Sequence, residues 1–276
     1  MRAHLKRERD AGTRIRAADP FAAFEPYLAQ RFKDDPHVRV MVLVRELVPL
    51  GFDASYQTLT REIRQRALRP HCEACAGVKG RATIEISHDP GEETQWDYLE
   101  FPETPWGCPA WLLVGALSHS GRFRGRFVER CDTPWLIQAT DLVARGLGGL
   151  TRSWRIDHLS GAVIPASSRL VPAFADAARH LKVEIVICPP RRANRKGVVE
   201  AANDYIAQSW WRTADVETIE QAQVSLDVFS CFVADERVRD GRRIAEIAEP
   251  LRPMPEQPYP ATIEVERAVT WSALVS

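Results

Sequence analysis

The sequence predicts an α/β protein: a mixed five-stranded sheet with helices, preceded by a small all-helical domain. Three observations carry that expectation. Apolar residues recur at helical spacing between Phe21 and about residue 69. Three β-rich runs follow one another from Thr94, and beyond Cys131 strand-like and helix-like stretches alternate. With 276 residues, 45% hydrophobic and 27% charged, the chain has the composition of a folded protein with a sizeable core. At about 100–200 residues per domain, two domains are expected. No run of about 18 apolar residues is present to span a bilayer. Met1 to Arg16 alternates basic and acidic residues without the apolar stretch of a secretory signal, so a cytoplasmic location with no membrane partner is expected. Six cysteines, scattered apart from one Cys-x-x-Cys, suit free thiols in a reducing compartment.

The helical region comes first, over residues 1–69. Asp19-Pro20 reads as a helix start, with Phe21, Phe24, Tyr27, Leu28 and Phe32 on its apolar face. Asp35-Pro36 reads as a second start; Val40, Leu43, Val44 and Leu47 share a face and Gly51 supplies the stop. Ser55 can cap a third helix, YQTLTREIRQR, whose Leu59 and Ile63 face inward while Gln57, Thr58, Arg61, Arg64 and Gln65 face outward. Two short helices around a glycine turn, the second polar and basic, make a helix-turn-helix over about 36–66. That arrangement lays its second helix in the major groove of double-stranded DNA. A plain helical hairpin with a solvated arginine face has the same pattern.

Residues 70–93, with Pro70, Gly77, Gly80, Pro90 and Gly91, read as a connector containing one short strand-like stretch, ATIEI. The second domain, 94–212, opens with the strands TQWDYLEF, AWLLVGALSHSG and RFRGRFVERC. Thr133-Pro134 starts a helix that ends in glycines, and TRSWRID is a fourth strand with Asp157 at its polar end. The helix SRLVPAFADAARHL, the apolar strand VEIVICPP and the helix RKGVVEAANDYIAQSWW complete the order βββαβαβα. That is the order of the ribonuclease H-like fold. Residues 213–276 read as a helical and Pro-rich C-terminal segment.

Three acidic residues fall at informative places: Asp97 inside the first strand, Asp157 at the end of the fourth, Glu200 near the start of the last helix of the domain. Any one of the 37 Asp+Glu is by default a solvated surface charge. Asp97, however, stands among aromatics in a strand, where a carboxylate needs compensation. In a ribonuclease H-like sheet the first and fourth strands are neighbours, so Asp97 and Asp157 converge and Glu200 can join them. Three carboxylates suit a two-metal site for Mg2+ or Mn2+, and with it in-line phosphoryl displacement. Lys196 lies four residues before Glu200, with Arg191, Arg192 and Arg195 beside it, a cluster suited to DNA phosphates. The net charge is +5 over residues 1–70, −4 over 71–150, +5 over 151–214 and −6 over 215–276. Basic blocks flanking an acidic one suit a phosphate-binding surface around a metal site; ordinary solvated faces produce shifts of this size too.

PGEETQWDYLEF, WRIDHLSGAV and PPRRANRKGVVEAANDYI resemble the three acidic motifs of IstA-type transposases, the DDE recombinases of the IS-twenty-one insertion sequences, with an integrase-like catalytic core. KG-x-VE is the most specific of the matches, and DPHVRVMVLVRELVPLGFDASYQTLTREIR resembles the family's helix-turn-helix. The resemblance runs over roughly residues 20–276. It implies catalytic, metal-holding Asp97, Asp157 and Glu200, cleavage and joining of element-end and target DNA, self-association on DNA, and a helper ATPase of the IstB type. In the family the segment resembling YPATIEVERAVTWSALVS leads into a small β-barrel; with the last residue at Ser276, a C-terminally truncated transposase is expected. Its alternative is an inactive remnant that only binds DNA.

His71, Cys72 and Cys75 have the spacing of half a zinc site, although no second Cys-x-x-Cys supplies the remaining ligands. Cys108, Cys131, Cys188 and Cys231 are expected to pack as small apolar residues, and Trp210 and Trp211 as core anchors.

Overall fold

The computed structural model describes residues 19, 21–71, 87–165, 167–188 and 196–260. The chain divides into two compact units, Met1–Arg81 and Ala82–Ser276.

Among the described residues the first unit holds three α-helices: α1 (Glu25–Asp34), α2 (Val40–Leu47) and α3 (Tyr56–Gln65). Two of them begin later than the Asp-Pro pairs suggest. Asp19 Oδ1 accepts the N–H of Phe21 at 3.0 Å, and Asp35 Oδ1 accepts the N–H of His37 at 2.9 Å. Both aspartates therefore close local turns, which compete with helix initiation. A single 3-10 turn, Val48–Leu50, extends α2 to Gly51, whose φ of +93° strains any residue with a Cβ. Ser55 Oγ then accepts the N–H of Thr58 at 3.2 Å and caps α3 as expected. Leu59 and Ile63 are buried with Leu28, Phe32, Leu43 and Phe52 in one apolar cluster.

The second unit is built on strands β1 (Glu93–Phe101), β2 (Ala110–Leu117), β3 (Phe123–Val128), β4 (Ser153–Ile156) and β5 (Glu184–Ile187). Their order in the sheet is β3-β2-β1-β4-β5. β1, β2 and β3 form an antiparallel meander, and β4 and β5 run parallel to β1. This is the predicted ribonuclease H-like sheet. Helices α4 (Thr133–Leu147), α5 (Pro172–His180), α6 (Gly197–Ser209) and α7 (Ile219–Phe229) accompany it. The N-cap of α4 is Asp132, one residue before the expected start, accepting the N–H of Trp135 at 3.3 Å.

Alternation along the strands makes two apolar layers. Trp96, Leu113, Leu117 and Trp154 pack with α4 and α5; Phe101, Leu112, Val114 and Phe127 pack with α6 and α7. The Trp96 and Trp154 rings meet edge to face at 4.8 Å. Gly115 makes room for them, since a Cβ there would lie 2.7 Å from the Trp96 ring and 2.9 Å from Val143.

Residues 213–260 pack against this core. Gln223 of α7 accepts the N–H of Phe127 at 2.9 Å and donates to the carbonyl of Gly125 at 3.1 Å, closing part of the edge of β3. Past α7 and a π-helical turn, Asp235 takes the guanidinium of Arg124 at 2.6 Å. A two-residue-per-strand hairpin follows, β6 (Val238–Arg239) and β7 (Arg242–Arg243). The Pro-rich stretch then runs back along the unit: Glu249 accepts the N–H groups of Gly91 and Ser120 at 2.7 and 3.0 Å, and Leu251, Met254 and Tyr259 join the α4/α5 layer.

Trp210 is buried and Trp211 packs on Phe101 at 4.3 Å, as anchors. The cysteine expectation needs correction: Cys188 is buried, but Cys108 and Cys231 are exposed, lying in a loop and on the outer side of the π-helical turn. No helix among the described residues is long and apolar enough to cross a membrane.

Candidate active site

On β1 the side chains of Glu93, Gln95 and Asp97 point to the α6 side of the sheet. Gln95 Oε1 accepts the N–H groups of Val198 and Val199, at 3.1 and 3.2 Å, and so ties the first turn of α6 to the strand. The compensation that Asp97 requires comes from the same helix. Lys196 Nζ, at the N-cap of α6 with its side chain 5% exposed, lies 2.9 Å from Asp97 Oδ1, and Asn203 Nδ2 donates to Oδ2 at 3.4 Å.

Asp157 follows the last residue of β4. The β1/β4 register pairs Glu93 with Ser153, Thr94 with Trp154 and Gln95 with Arg155. The same offset carried two residues further brings Asp157 level with Asp97 and on the same side of the sheet. Asp157 Oδ1 accepts the backbone N–H of His158 at 2.9 Å and lies 3.1 Å from its Nδ1. Burial pushes the Asp157 carboxyl up, but the His158 contacts and the Lys196 ammonium outweigh this and hold it below the usual range. The Lys196 ammonium thus pairs with Asp97 and adds to the field at Asp157.

Glu200 sits in the first turn of α6, one turn beyond Lys196 and one before Asn203, on the same helix face. Its side chain is exposed and makes no hydrogen bond or ion pair among the described residues. No group of three His, Cys, Asp or Glu side chains among those residues is close enough to hold a metal ion. The fold therefore sets Asp97 and Asp157 level on adjacent strands, with Lys196 bonded to Asp97, and leaves Glu200 on the same helix as that lysine.

Behind the aspartates lies a buried polar layer. Glu93, 4% exposed, pairs with Arg155 at 2.6 Å and accepts from Ser118 Oγ and Gln95 Nε2, each at 3.1 Å. Burial raises the Glu93 carboxyl, and the Arg155, Gln95 and Ser118 contacts together more than reverse it, so the group lies below the usual range. Cys188, just past β5, lies by Arg155; burial pushes its thiol up. Sequence reading missed Gln95, Glu93, Arg155 and Asn203. Spacing carried the signal: Gln95 stands two residues before Asp97 on the same strand face, and Asn203 lies seven after Lys196 on the same helix face.

Lys196, expected to grip a phosphate, is bonded to Asp97. Arg191, Arg192 and Arg195 lie outside the described residues, as do Cys72 and Cys75; His71 is exposed. On α3, Gln57, Arg61 and Arg64 are exposed, whereas Thr58 is partly turned in by its contact with Ser55 at 3.1 Å.

No family model matches the chain. It is similar to the "Putative transposase for insertion sequence element IS5376" of Geobacillus stearothermophilus, 24% identical over 92% of this chain and 64% of that protein. It is also similar to the "Transposase for insertion sequence element IS21" of Pseudomonas aeruginosa, 22% identical over 85% of this chain and 61% of that one. The chain thus spans a little under two thirds of the curated relatives it matches. Among solved structures, a simian T-cell lymphotropic virus intasome in complex with PP2A regulatory subunit B56 gamma aligns at 15% identity and TM-score 0.47, covering 88% of this chain and 80% of that chain. The HTLV-2 integrase catalytic core domain in complex with magnesium aligns at 15% identity and TM-score 0.44, covering 59% of this chain and 99% of that chain.

Proposed function

We propose that this chain is the transposase of an insertion sequence, a DDE-type polynucleotidyl transferase that binds element-end DNA, cuts one strand at each end and joins the freed 3′-hydroxyl to target DNA. The observation that carries the reading is the level placement of Asp97 and Asp157 on adjacent parallel strands, with Lys196 bonded to Asp97 and Glu200 one turn further along the same helix. The similarity to insertion-sequence transposases along most of the chain supports it.

The donor chemistry fits hard divalent cations. Asp97, Asp157 and Glu200 offer carboxylate oxygens, and Asn203 Oδ1, buried beside Asp97, has no hydrogen-bond partner among the described residues and so adds a further oxygen. These residues would hold two Mg2+ or Mn2+ ions, whose chemistry when bound is Lewis-acid stabilisation of the attacking and leaving oxygens. Lys196 pairs with Asp97, and its charge, with the His158 contacts, favours the ionised Asp157 carboxylate that oxygen-ligand binding demands. Gln95 holds the first turn of α6, and with it Glu200, against β1. The Glu93–Arg155 pair backs Gln95 and keeps this face of the sheet polar. Gln57, Arg61 and Arg64 on α3, with Thr58 at its cap, are the surface for duplex DNA; Arg191, Arg192 and Arg195 are proposed as further phosphate contacts. Self-association on DNA and a helper ATPase of the IstB type complete the proposed assembly.

A second reading, a DNA-binding protein without catalysis, is favoured by one observation: Lys196 already engages Asp97 while Glu200 stands apart. A branched DNA that mimics an integrated element end separates the two. Incubated with the intact chain in Mn2+ or Mg2+, it should be resolved to the unbranched duplex, and Asp157→Asn should abolish this. Absence of resolution by folded wild-type protein that binds the DNA would leave the second reading.

A further inference from the structure

We propose that Thr133 and Ser160 are positioning residues: their hydroxyls clasp the turn that follows Asp157 to the start of α4, and so fix where the Asp157 carboxylate meets a divalent cation. This rests on the carboxylate-site reading above and extends it to two side chains outside the carboxylates.

The two aspartates are held differently. Asp97 is gripped from α6, by Lys196 at 2.9 Å and by Asn203 at 3.4 Å. The Asp157 side chain is half exposed, and among the described residues its hydrogen bonds go only to His158, its neighbour in sequence. A carboxylate bonded only within its own turn is placed by its backbone, so whatever fixes that backbone fixes the ligand. On the N-terminal side the sheet does this. Ile156, the last residue of β4, is fully buried, and its carbonyl accepts the N–H of Cys188 at 2.8 Å. On the C-terminal side β4 has ended, and the turn needs another anchor.

The clasp supplies it. Thr133 Oγ1, at the start of α4, donates to the carbonyl of Gly161 at 2.9 Å, and Ser160 Oγ donates to the carbonyl of Cys131 at 2.8 Å. Each segment thus gives the other one hydroxyl and one main-chain carbonyl. Between the two bonds the backbones are in contact: a Cβ on Gly161 would lie 2.8 Å from the carbonyl carbon of Asp132 and 2.9 Å from its oxygen. Leu159, in the middle of the turn, is buried in the α4/α5 layer. The partner is rigid, since α4 spans 15 residues and buries Leu136, Ile137, Val143 and Leu147. Thr133 is not spent on capping that helix; Asp132 Oδ1 does so, by accepting the N–H of Trp135 at 3.3 Å. The turn that carries Asp157 is therefore registered against a helix packed on the sheet.

The test is Mn2+ binding to the intact chain by titration calorimetry, a readout independent of DNA and of turnover. Thr133→Val keeps the side-chain shape and removes one bond of the clasp. It should weaken Mn2+ binding about three- to tenfold, and Thr133→Ser should bind as wild type does. Ser160→Ala, at an exposed site, should cost about threefold and carries the test alone if Thr133→Val does not fold. The double variant should lose about tenfold or more. Thr140→Val controls for loosening of α4, because the Thr140 hydroxyl donates within the helix, to Ile137 at 2.9 Å; its Mn2+ affinity should equal that of wild type. Unchanged affinity in the double variant, or an equal loss in Thr140→Val, would overturn the clasp while leaving the carboxylate site intact. A lower melting temperature with unchanged affinity would do the same, since the bonds would then serve stability alone. Absence of Mn2+ binding by wild type would overturn the reading beneath it.

Discussion

Lys196 Nζ stands 2.9 Å from Asp97 Oδ1, and its charge also helps to hold the Asp157 carboxyl below its usual range. A buried ammonium is costly to leave unpaired. Lys196→Met should therefore release Asp97 from its cation, weaken the field at Asp157, and remove the desolvation cost of the ammonium together with the pair. We expect a change in melting temperature of only a few degrees but a large fall in strand resolution. Unchanged resolution in Lys196→Met would show that the lysine has no part in organising the aspartates.

The Glu93–Arg155 pair sets a pH dependence. With its folded carboxyl below the unfolded value of about 4.3, Glu93 contributes stability that is complete above the ordinary carboxylate range. That contribution is lost as pH falls through the folded value. Glu93→Gln leaves the half-buried Arg155 without its carboxylate and should cost about 3 kcal/mol near neutrality. Its melting temperature should also fall less steeply than that of wild type as the solution is acidified below the ordinary range. Parallel acid limbs for the two proteins would contradict the assignment.

Gln223 satisfies one N–H and one carbonyl on edge strand β3 from nearly a hundred residues away in sequence. Gln223→Ala should cost about 1–3 kcal/mol, the penalty of groups left without partners. Denaturant unfolding measures it. A loss of a few tenths would mean that water takes over both bonds.

Gly115 is occupied on its Cβ side by Trp96 and Val143. Gly115→Ala should force the Trp96 indole to shift and cost about 1–3 kcal/mol by overpacking. Wild-type stability in this variant would mean that the two tryptophans repack freely.

On α3, Arg61 and Arg64 are exposed. Replacing each with glutamine should lower duplex affinity and reduce the salt slope by about one apiece if each meets a phosphate. Ser55→Ala, which removes the helix cap, should cost about 1 kcal/mol in the first unit. A salt slope unchanged in both arginine variants would place DNA on another face.

Local patterns carried much of this architecture. β-rich runs and a short apolar stretch marked the strands, and the serine cap and the Leu59/Ile63 spacing marked α3. Since the strand sequence of a ribonuclease H-like sheet makes the first and fourth strands neighbours, Asp97 and Asp157 were legible as a pair before their register was known. Asp-Pro was misleading twice, because a carboxylate that can start a helix can equally close a turn on the residue two positions on. Long-range partners were not legible: nothing near Arg124 in sequence points to Asp235, and nothing near Gly91 points to Glu249. Lys196 shows the same limit inside the site. Its neighbours in sequence are basic and suggest phosphate, whereas its neighbour in space is Asp97.

The most direct test of the central claim is Mn2+ binding to the intact chain, by titration calorimetry, for wild type and for Asp97→Asn, Asp157→Asn and Glu200→Gln. If the three carboxylates form the metal site, wild type binds Mn2+ and each variant weakens it at least about tenfold with its fold retained. Binding that is absent in wild type, or equal in all four proteins, would contradict the account.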